Sequence, residues 1–231
     1  YNFQAVMFDT EGTLIDGQHR LAAVVLAAKP IVTDVVYDAD PQTAKHIDGG
    51  IPRTASDIAQ WQGIGNTTAG CAIARWWLFH ESGSLNKKNA KLNPSRSAIV
   101  NKLSEMNEQI QEAIHVVKPA KHIIPPAVAG FSFLLFAQLD RSLAVNFFEK
   151  LASGIGYEEG SALHRLRERL IENRGSRAKL PDHYILALAI KAWNYFVYGR
   201  KMRYLRWKDD ESFPVPVLPG AAAEGDIDEA A

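Results

Sequence analysis

The spacing of hydrophobic positions changes period along the chain. Residues 3–9 are β-prone, Thr10-Glu11-Gly12 forms a turn whose glycine can take positive φ, and Thr13-Leu14-Ile15 returns as the second strand of a hairpin. From Gln18 to Ala28 the period lengthens, and Leu21, Val24, Val25 and Ala28 fall on one helical face. Pro30 ends that helix, and the β-branched residues of 31–37 predict a third strand. Asp40-Pro41 has the form of an N-cap followed by proline at the first helical position, and Asp48-Gly49-Gly50 that of a turn.

Beyond Arg53 the pattern is helical. Segments 54–62, 66–80, 94–106, 108–117, 126–138, 141–153, 161–173 and 181–198 are separated by breakers. Asn93-Pro94 opens one helix, Asp140 is placed to cap another, and Gly154 and Gly199 stand where helix ends favour glycine. The longest apolar run, 123–137, has 15 residues and includes Pro125, Pro126, Gly130 and Ser132. It is shorter than the ~18–20 residues of a membrane span, so it predicts a buried core helix and no membrane partner. The expected fold class is α+β, with a mixed module over residues 1–53, an all-helical C-terminal domain over 54–208 and an acidic disordered tail over 209–231.

Composition narrows the class further. With 231 residues, 47% hydrophobic and 23% charged, the chain is globular rather than wholly disordered, collagenous or coiled-coil. A single cysteine, Cys71, excludes an internal disulfide and a cysteine-rich metal site, and fits a reducing, cytoplasmic setting. The seven histidines show no His-x-x-x-His spacing, so no metal site is predicted. Ser95, Ser97 and Ser104 lack the context of a nucleophile elbow.

Net charge is zero, but unevenly distributed. Residues 161–208 carry 12 basic and 3 acidic side chains, whereas 209–231 carry 7 acidic and none basic. The basic stretch, with Arg165, Arg169, Arg200, Lys201, Arg203 and Arg206 interleaved with Trp193, Tyr195, Tyr198, Tyr204 and Trp207, is a candidate nucleic-acid surface. The alternative is a solvated helix face whose aromatics fill the core. From Gly220 onward the tail holds too little apolar surface to order, and the acidic residues from Asp209 are placed to compete with DNA for the basic surface.

The strongest chemical signal is Asp16-Gly17-Gln18-His19-Arg20 followed by Leu21-Ala22-Ala23. A strand, a glycine corner and a helix start place free amides and the positive end of the helix dipole at one spot, which favours an anion. Gly17 permits close backbone approach, Arg20 offers a planar fork for phosphate oxygens, His19 donates, and Asp16 accepts from a hydroxyl or holds a cation. The bland alternative makes Asp16 a helix cap and Arg20 half of a surface ion pair. Arg53-Thr54 is a second candidate anion-binding turn, with Thr54 or Ser56 as a plain helix cap as its alternative.

The Asp-Gly-Gln-His-Arg corner resembles the signature of the ParB/sulfiredoxin superfamily, in particular the DGQHR-type ParB-like proteins of phages and mobile elements. The resemblance extends to Val35-Val36, Asp40, Asp48-x-Gly50-x-x-Arg53-Thr54-Ala55-x-Asp57, Lys179-Leu180, Ala187-x-Ala189-Ile190-Lys191-Ala192-Trp193-Asn194 and Leu205-Arg206-Trp207. It implies an incomplete ParB/sulfiredoxin-like N-terminal module, since the chain opens at Tyr1 directly in a strand-like run without the upstream strand and helix that complete such a pocket. It also implies a nucleotide ligand, ATP or CTP with Mg2+, bound by residues 16–20. Asp16 and Gln18 are then the candidate catalytic residues of a slow NTPase or phosphotransferase. DNA is the implied second partner, and the resemblance leaves room for a homodimer. Two departures matter. Gln18 stands where sulfiredoxins carry the reactive cysteine, so sulfinic-acid reduction is not expected. Gln18-His19 replaces the Glu-Arg of chromosome-partitioning ParB, which puts CTP preference and hydrolysis in question. The rival function is a nucleic-acid-binding or scaffold protein whose corner grips a backbone phosphate without catalysis.

Overall fold

A hairpin opens the chain in the computed structural model, which describes residues 5–40, 54–86, 93–208 and 210–218. Strands β1 (Val6–Asp9) and β2 (Leu14–Asp16) pair antiparallel, Met7 opposite Asp16 and Phe8 opposite Leu14. The Asp9 carboxylate closes the turn by accepting from the Glu11 and Thr13 amides at 2.9 and 2.7 Å, while Gly12 takes φ +78°. Helix α1 (Gln18–Ala27) follows, and β3 (Val35–Ala39) then pairs parallel to β1. The sheet order is β2-β1-β3, with Phe8 and Tyr37 stacked at 5.6 Å across the parallel pair.

Two expectations for this part shift. The third strand begins at Val35 rather than residue 31, because its ladder partner β1 starts only at Val6; Ile31–Asp34 lie outside the ladder, apart from the bond of the Val6 amide to the Asp34 carbonyl. The apolar face of α1 is only half covered: Leu21 and Val24 are half-buried, Val25 is 77% exposed, and Ala28 leaves the helix in a left-handed conformation.

The chain divides into two compact units, Tyr1–Thr54 and Ala55–Ala231. The second is helical in its described residues: α2 (Ala55–Trp61), α3 (Thr67–Glu81), α4 (Arg96–Glu105), α5 (Asn107–Val117), α6 (Pro126–Ser153), α7 (Ala162–Gly175) and α8 (Asp182–Val197). The architecture is thus α+β, a small three-stranded sheet with one helix and a larger helical unit. The expected N-cap at Asp40-Pro41, the turn at Asp48-Gly49-Gly50 and the tail from Gly220 fall outside the described residues, wholly or in their second half.

Helix α6 is central, packing against α3, α5, α7 and α8. It is long and apolar enough to cross a membrane, yet it is largely buried in the helical unit, as the 123–137 run predicts. Asp140 interrupts it with extended φ/ψ, and its carboxylate accepts from the Leu143 amide at 2.8 Å, so the two expected helices meet at a cap inside one rod. Ser161 caps α7 through the His164 amide, and Gly154 ends α6 at φ +75°. At α4 the cap is Ser95, which accepts from the Ala98 amide at 3.2 Å, so the helix starts two residues after the expected Pro94.

The core is aromatic. The Trp193 ring stacks on Phe136 at 4.4 Å, with Phe147 edge-on to both. Where α3 crosses α6, Gly130 lets Ile73 approach: a Cβ there would stand 2.4 Å from Ile73 Cδ1. Gly130→Ala is therefore expected to lose about 1–3 kcal/mol to overpacking. Ile73→Val, which deletes the colliding methyl, is expected to restore part of that loss in the double variant, as measured by denaturant unfolding.

Candidate functional site

The corner of residues 16–20 forms as a strand–glycine–helix junction. Gly17 is buried, with φ 101° and ψ 5°, and is the N-cap residue of α1. A side chain there would meet Val6: an added Cβ would lie 2.9 Å from Val6 Cγ2 and 3.3 Å from its Cα. The glycine is therefore demanded twice by the fold, through its left-handed backbone and through the close approach of β1.

Leu21 N donates to Gly17 O at 2.9 Å and closes the first helical turn. The amides of Gln18 and His19 precede that bond and have no intrahelical acceptor. Both side chains are exposed, and the first turn carries no acid and no side-chain cap. Asp16 consequently does not cap α1. Its carboxylate lies 3.5 Å from Arg20 Nη2, and the same nitrogen donates to Ala5 O at 2.8 Å. Arg20 is half-buried and ties the helix to the edge of β1, so that much of its fork is committed within the protein.

The other helix starts show how unusual this end is. Serines cap α4 and α7. Acids stand in the first turns of α2, α5 and α8, at Asp57, Glu108 and Asp182. Helix α6 opens on Pro126, which has no amide to satisfy. Helix α3 lacks both cap and acid, but hydroxyls crowd its start: Ser56 Oγ lies 2.7 Å from Thr67 Oγ1 and 3.3 Å from Thr68 Oγ1. Thr67 and Thr68 also line a shallow polar depression of about 460 Å³ between Gln60 and Ala69. Nothing comparable covers α1 among the described residues.

The second expected anion site falls only in part within the described residues. Arg53 lies outside them, and Thr54 is exposed immediately before the seven-residue α2. Among the described residues no group of three His, Cys, Asp or Glu side chains comes together. Cys71 is buried, and burial pushes its thiol pKa up.

The expected nucleic-acid surface splits. Arg165 and Arg169 pair with Glu168 and Glu172 of their own helix at 3.1 and 3.5 Å. Lys201 pairs with Glu158 at 2.8 Å, and Arg200 lies over the Tyr198 ring. Trp193 and Trp207 are buried, so the core alternative holds for both and neither is available to stack on a base. Arg203, Tyr204 and Arg206 remain outward, with Tyr204 68% exposed and the Arg203 guanidinium 5.3 Å from its ring.

Sequence reasoning missed a cluster on α8. Lys191, Trp193, Asn194 and Tyr198 hold residues 211–218, which the sequence assigns to an unstructured acidic tail. That assignment is corrected for 210–218. The available signal was the Pro214-Val215-Pro216-Val217 alternation, which presets an extended chain.

Because of its φ and its contact with Val6, Gly17→Val is expected to open the corner rather than merely block a ligand. Amide hydrogen exchange in β1, β2 and α1 should accelerate while exchange in α6 and α8 stays at the wild-type rate.

Comparison with protein-family models, with curated proteins and with solved structures returned no match, so any assignment of this corner rests on its residues and their geometry.

Proposed function

We propose that the chain is a ParB/sulfiredoxin-like nucleotide-binding protein acting in DNA transactions or their regulation, of the kind found in phages and mobile elements. The observation that carries this reading is the start of α1: Gln18 and His19 exposed, their amides without an intrahelical acceptor, no cap, no acid, and a fixed glycine corner before them. Such an end binds phosphate through main-chain N–H groups and the helix dipole. His19 supplies an adjacent donor. Arg20 serves chiefly as the strut that positions the helix, by way of Ala5 O and Asp16. The ligand is a nucleoside triphosphate, ATP or CTP with Mg2+. In a slow hydrolytic cycle Asp16 is the nearby carboxylate that takes a proton from water, and Gln18 the residue that orients it.

The test separates ligand from fold by reversing charge where the helix welcomes it. An acid in the first turn interacts favourably with the dipole, by about 0.3–1 kcal/mol, but repels phosphate. Wild-type protein is expected to melt at higher temperature with at least one of ATP, CTP, GTP or ADP in the presence of Mg2+, as ligand binding to the native state requires. His19→Glu should keep the unliganded melting temperature and lose the nucleotide response. No response of the wild type to any of the four removes the nucleotide reading.

The outward set Arg203, Tyr204 and Arg206 favours a second reading, nucleic-acid binding by the helical unit without catalysis. Binding to single-stranded DNA at low salt is expected to weaken steeply as salt rises, because phosphate neutralisation releases counterions. It should tighten when residues 219–231, which carry four acids, are removed; the cut belongs after Leu218, since residues 211–218 are bonded to α8. A double Arg203→Ala, Arg206→Ala variant that binds like wild type would sink this reading.

A further inference from the structure

Residues 211–218 are held in the way a peptide ligand is held. The Asn194 side chain grips their main chain from both sides: Nδ2 donates to Val215 O at 2.9 Å, and Oδ1 accepts from the Val217 amide at 3.0 Å. Trp193 Nε1 donates to Val217 O at 3.2 Å, and Tyr198 Oη donates to Leu218 O at 3.4 Å. Upstream, Trp207 Nε1 donates to Ser212 O at 3.2 Å, Phe213 packs edge-on against the Trp207 ring at 5.5 Å, and Lys191 Nζ pairs with Glu211 at 2.7 Å.

Five of these contacts read backbone atoms, and only Phe213 and Glu211 are read by their side chains. Val215 and Leu218 point outward, 74% and 52% exposed. Pro214 and Pro216 fix φ and remove two donors that would otherwise need partners, so the segment is preset to an extended form before it docks. Aromatic N–H and O–H donors reading the carbonyls of a proline-spaced extended chain is a recurring mode of peptide recognition between molecules. Here it operates within one molecule.

We infer that the face of α8 bearing Lys191, Asn194 and Tyr198, floored by Trp193 and Trp207, is a docking groove for an extended proline-spaced segment, closed by the chain's own residues 211–218 and open to the same segment of a second copy. The second copy is the occupant because its segment reproduces every contact just described, the Glu211 and Phe213 contacts included. Reciprocal exchange of one element between two identical chains is also self-complementary and closes at the dimer. Tethering gives the chain's own segment a high effective concentration, so the monomer prevails in dilute solution and the exchanged dimer forms as protein concentration rises.

Two full-length variants each disable one half of the contact. Asn194→Ala breaks the groove and leaves the segment intact; Val217→Pro removes the amide that Asn194 accepts and leaves the groove intact. A labelled peptide of residues 208–218 is expected to bind Val217→Pro at least tenfold more tightly than Asn194→Ala, with wild type weaker than Val217→Pro because its own segment competes. An equimolar mixture of the variants should form a heterodimer by light scattering at concentrations where each alone is monomeric. Equal peptide binding by the two variants, both melting like wild type, would make the segment a fixed clasp and overturn the inference. Should either variant fail to fold, the wild-type chain decides: excess peptide must accelerate hydrogen exchange at the Val217 amide, and unchanged exchange overturns the groove. Tighter binding of an unrelated proline-rich peptide would overturn the choice of a second copy as occupant.

Discussion

The organisation of the helical unit depends on how two buried indoles find acceptors. Trp193 and Trp207 sit among the largest fully buried side chains, and each brings one N–H that water cannot reach. A buried donor left unpaired costs about 1–3 kcal/mol, so burial of the ring is favourable only where an acceptor is built in. Both acceptors are main-chain carbonyls from beyond the last helix, Val217 for Trp193 and Ser212 for Trp207. Trp193, which packs α8 against Phe136 of α6, and Trp207, which packs against Tyr184 of α8, therefore recruit residues 212–217 into the fold. Core packing and the ordering of an acidic stretch are one event.

That coupling explains which features were legible in the sequence. Helix ends were, because their determinants are local: Asp140 caps three residues ahead, Ser161 likewise, and Gly154 takes the conformation other residues avoid. The hairpin and α1 were legible for the same reason. The limits of β3 were not, since a strand extends only as far as its partner, and nothing local to Ile31 reports that β1 begins at Val6. Residues 210–218 were least legible of all. Their composition is that of a charged tail leading into prolines, while Lys191, Trp193, Asn194 and Tyr198 lie some twenty residues upstream and mostly contact their backbone. Backbone recognition leaves little trace in the side chains of the segment being recognised.

The corner at residues 16–20 presents the opposite difficulty, a motif easy to see and ambiguous to read. Glycine and arginine at a helix start suit a phosphate, and they equally suit a fold in which Gly17 must clear Val6 and Arg20 must reach Ala5 O. The structure assigns much of their chemistry to the second purpose. The two purposes are compatible, because a fixed corner is what aims main-chain amides at a constant point, and preorganised donors bind more tightly than donors that must be ordered first.

What separates a phosphate-binding end from an ordinary one is then the absence of local satisfaction, not the presence of arginine. An N-terminus capped by alanine instead of Ser, Thr, Asn or Asp forgoes about 0.5–2 kcal/mol, and one capped by glycine a few tenths. This chain takes that contribution at α4 and α7 through serines, and complements the dipole with acids at α2, α5 and α8. At α3 it surrounds the end with hydroxyls. At α1 it places Gln18 and His19, neither of which caps, directly after a glycine that cannot. Local departures from the stabilising choice, in a chain that makes that choice elsewhere, are where function tends to reside. The electrostatic complement of such an end is a negative group near the Gln18 and His19 amides. Asp16 turns toward Arg20 instead of supplying it, so among the described residues the end is left either to water or to an anion from solution.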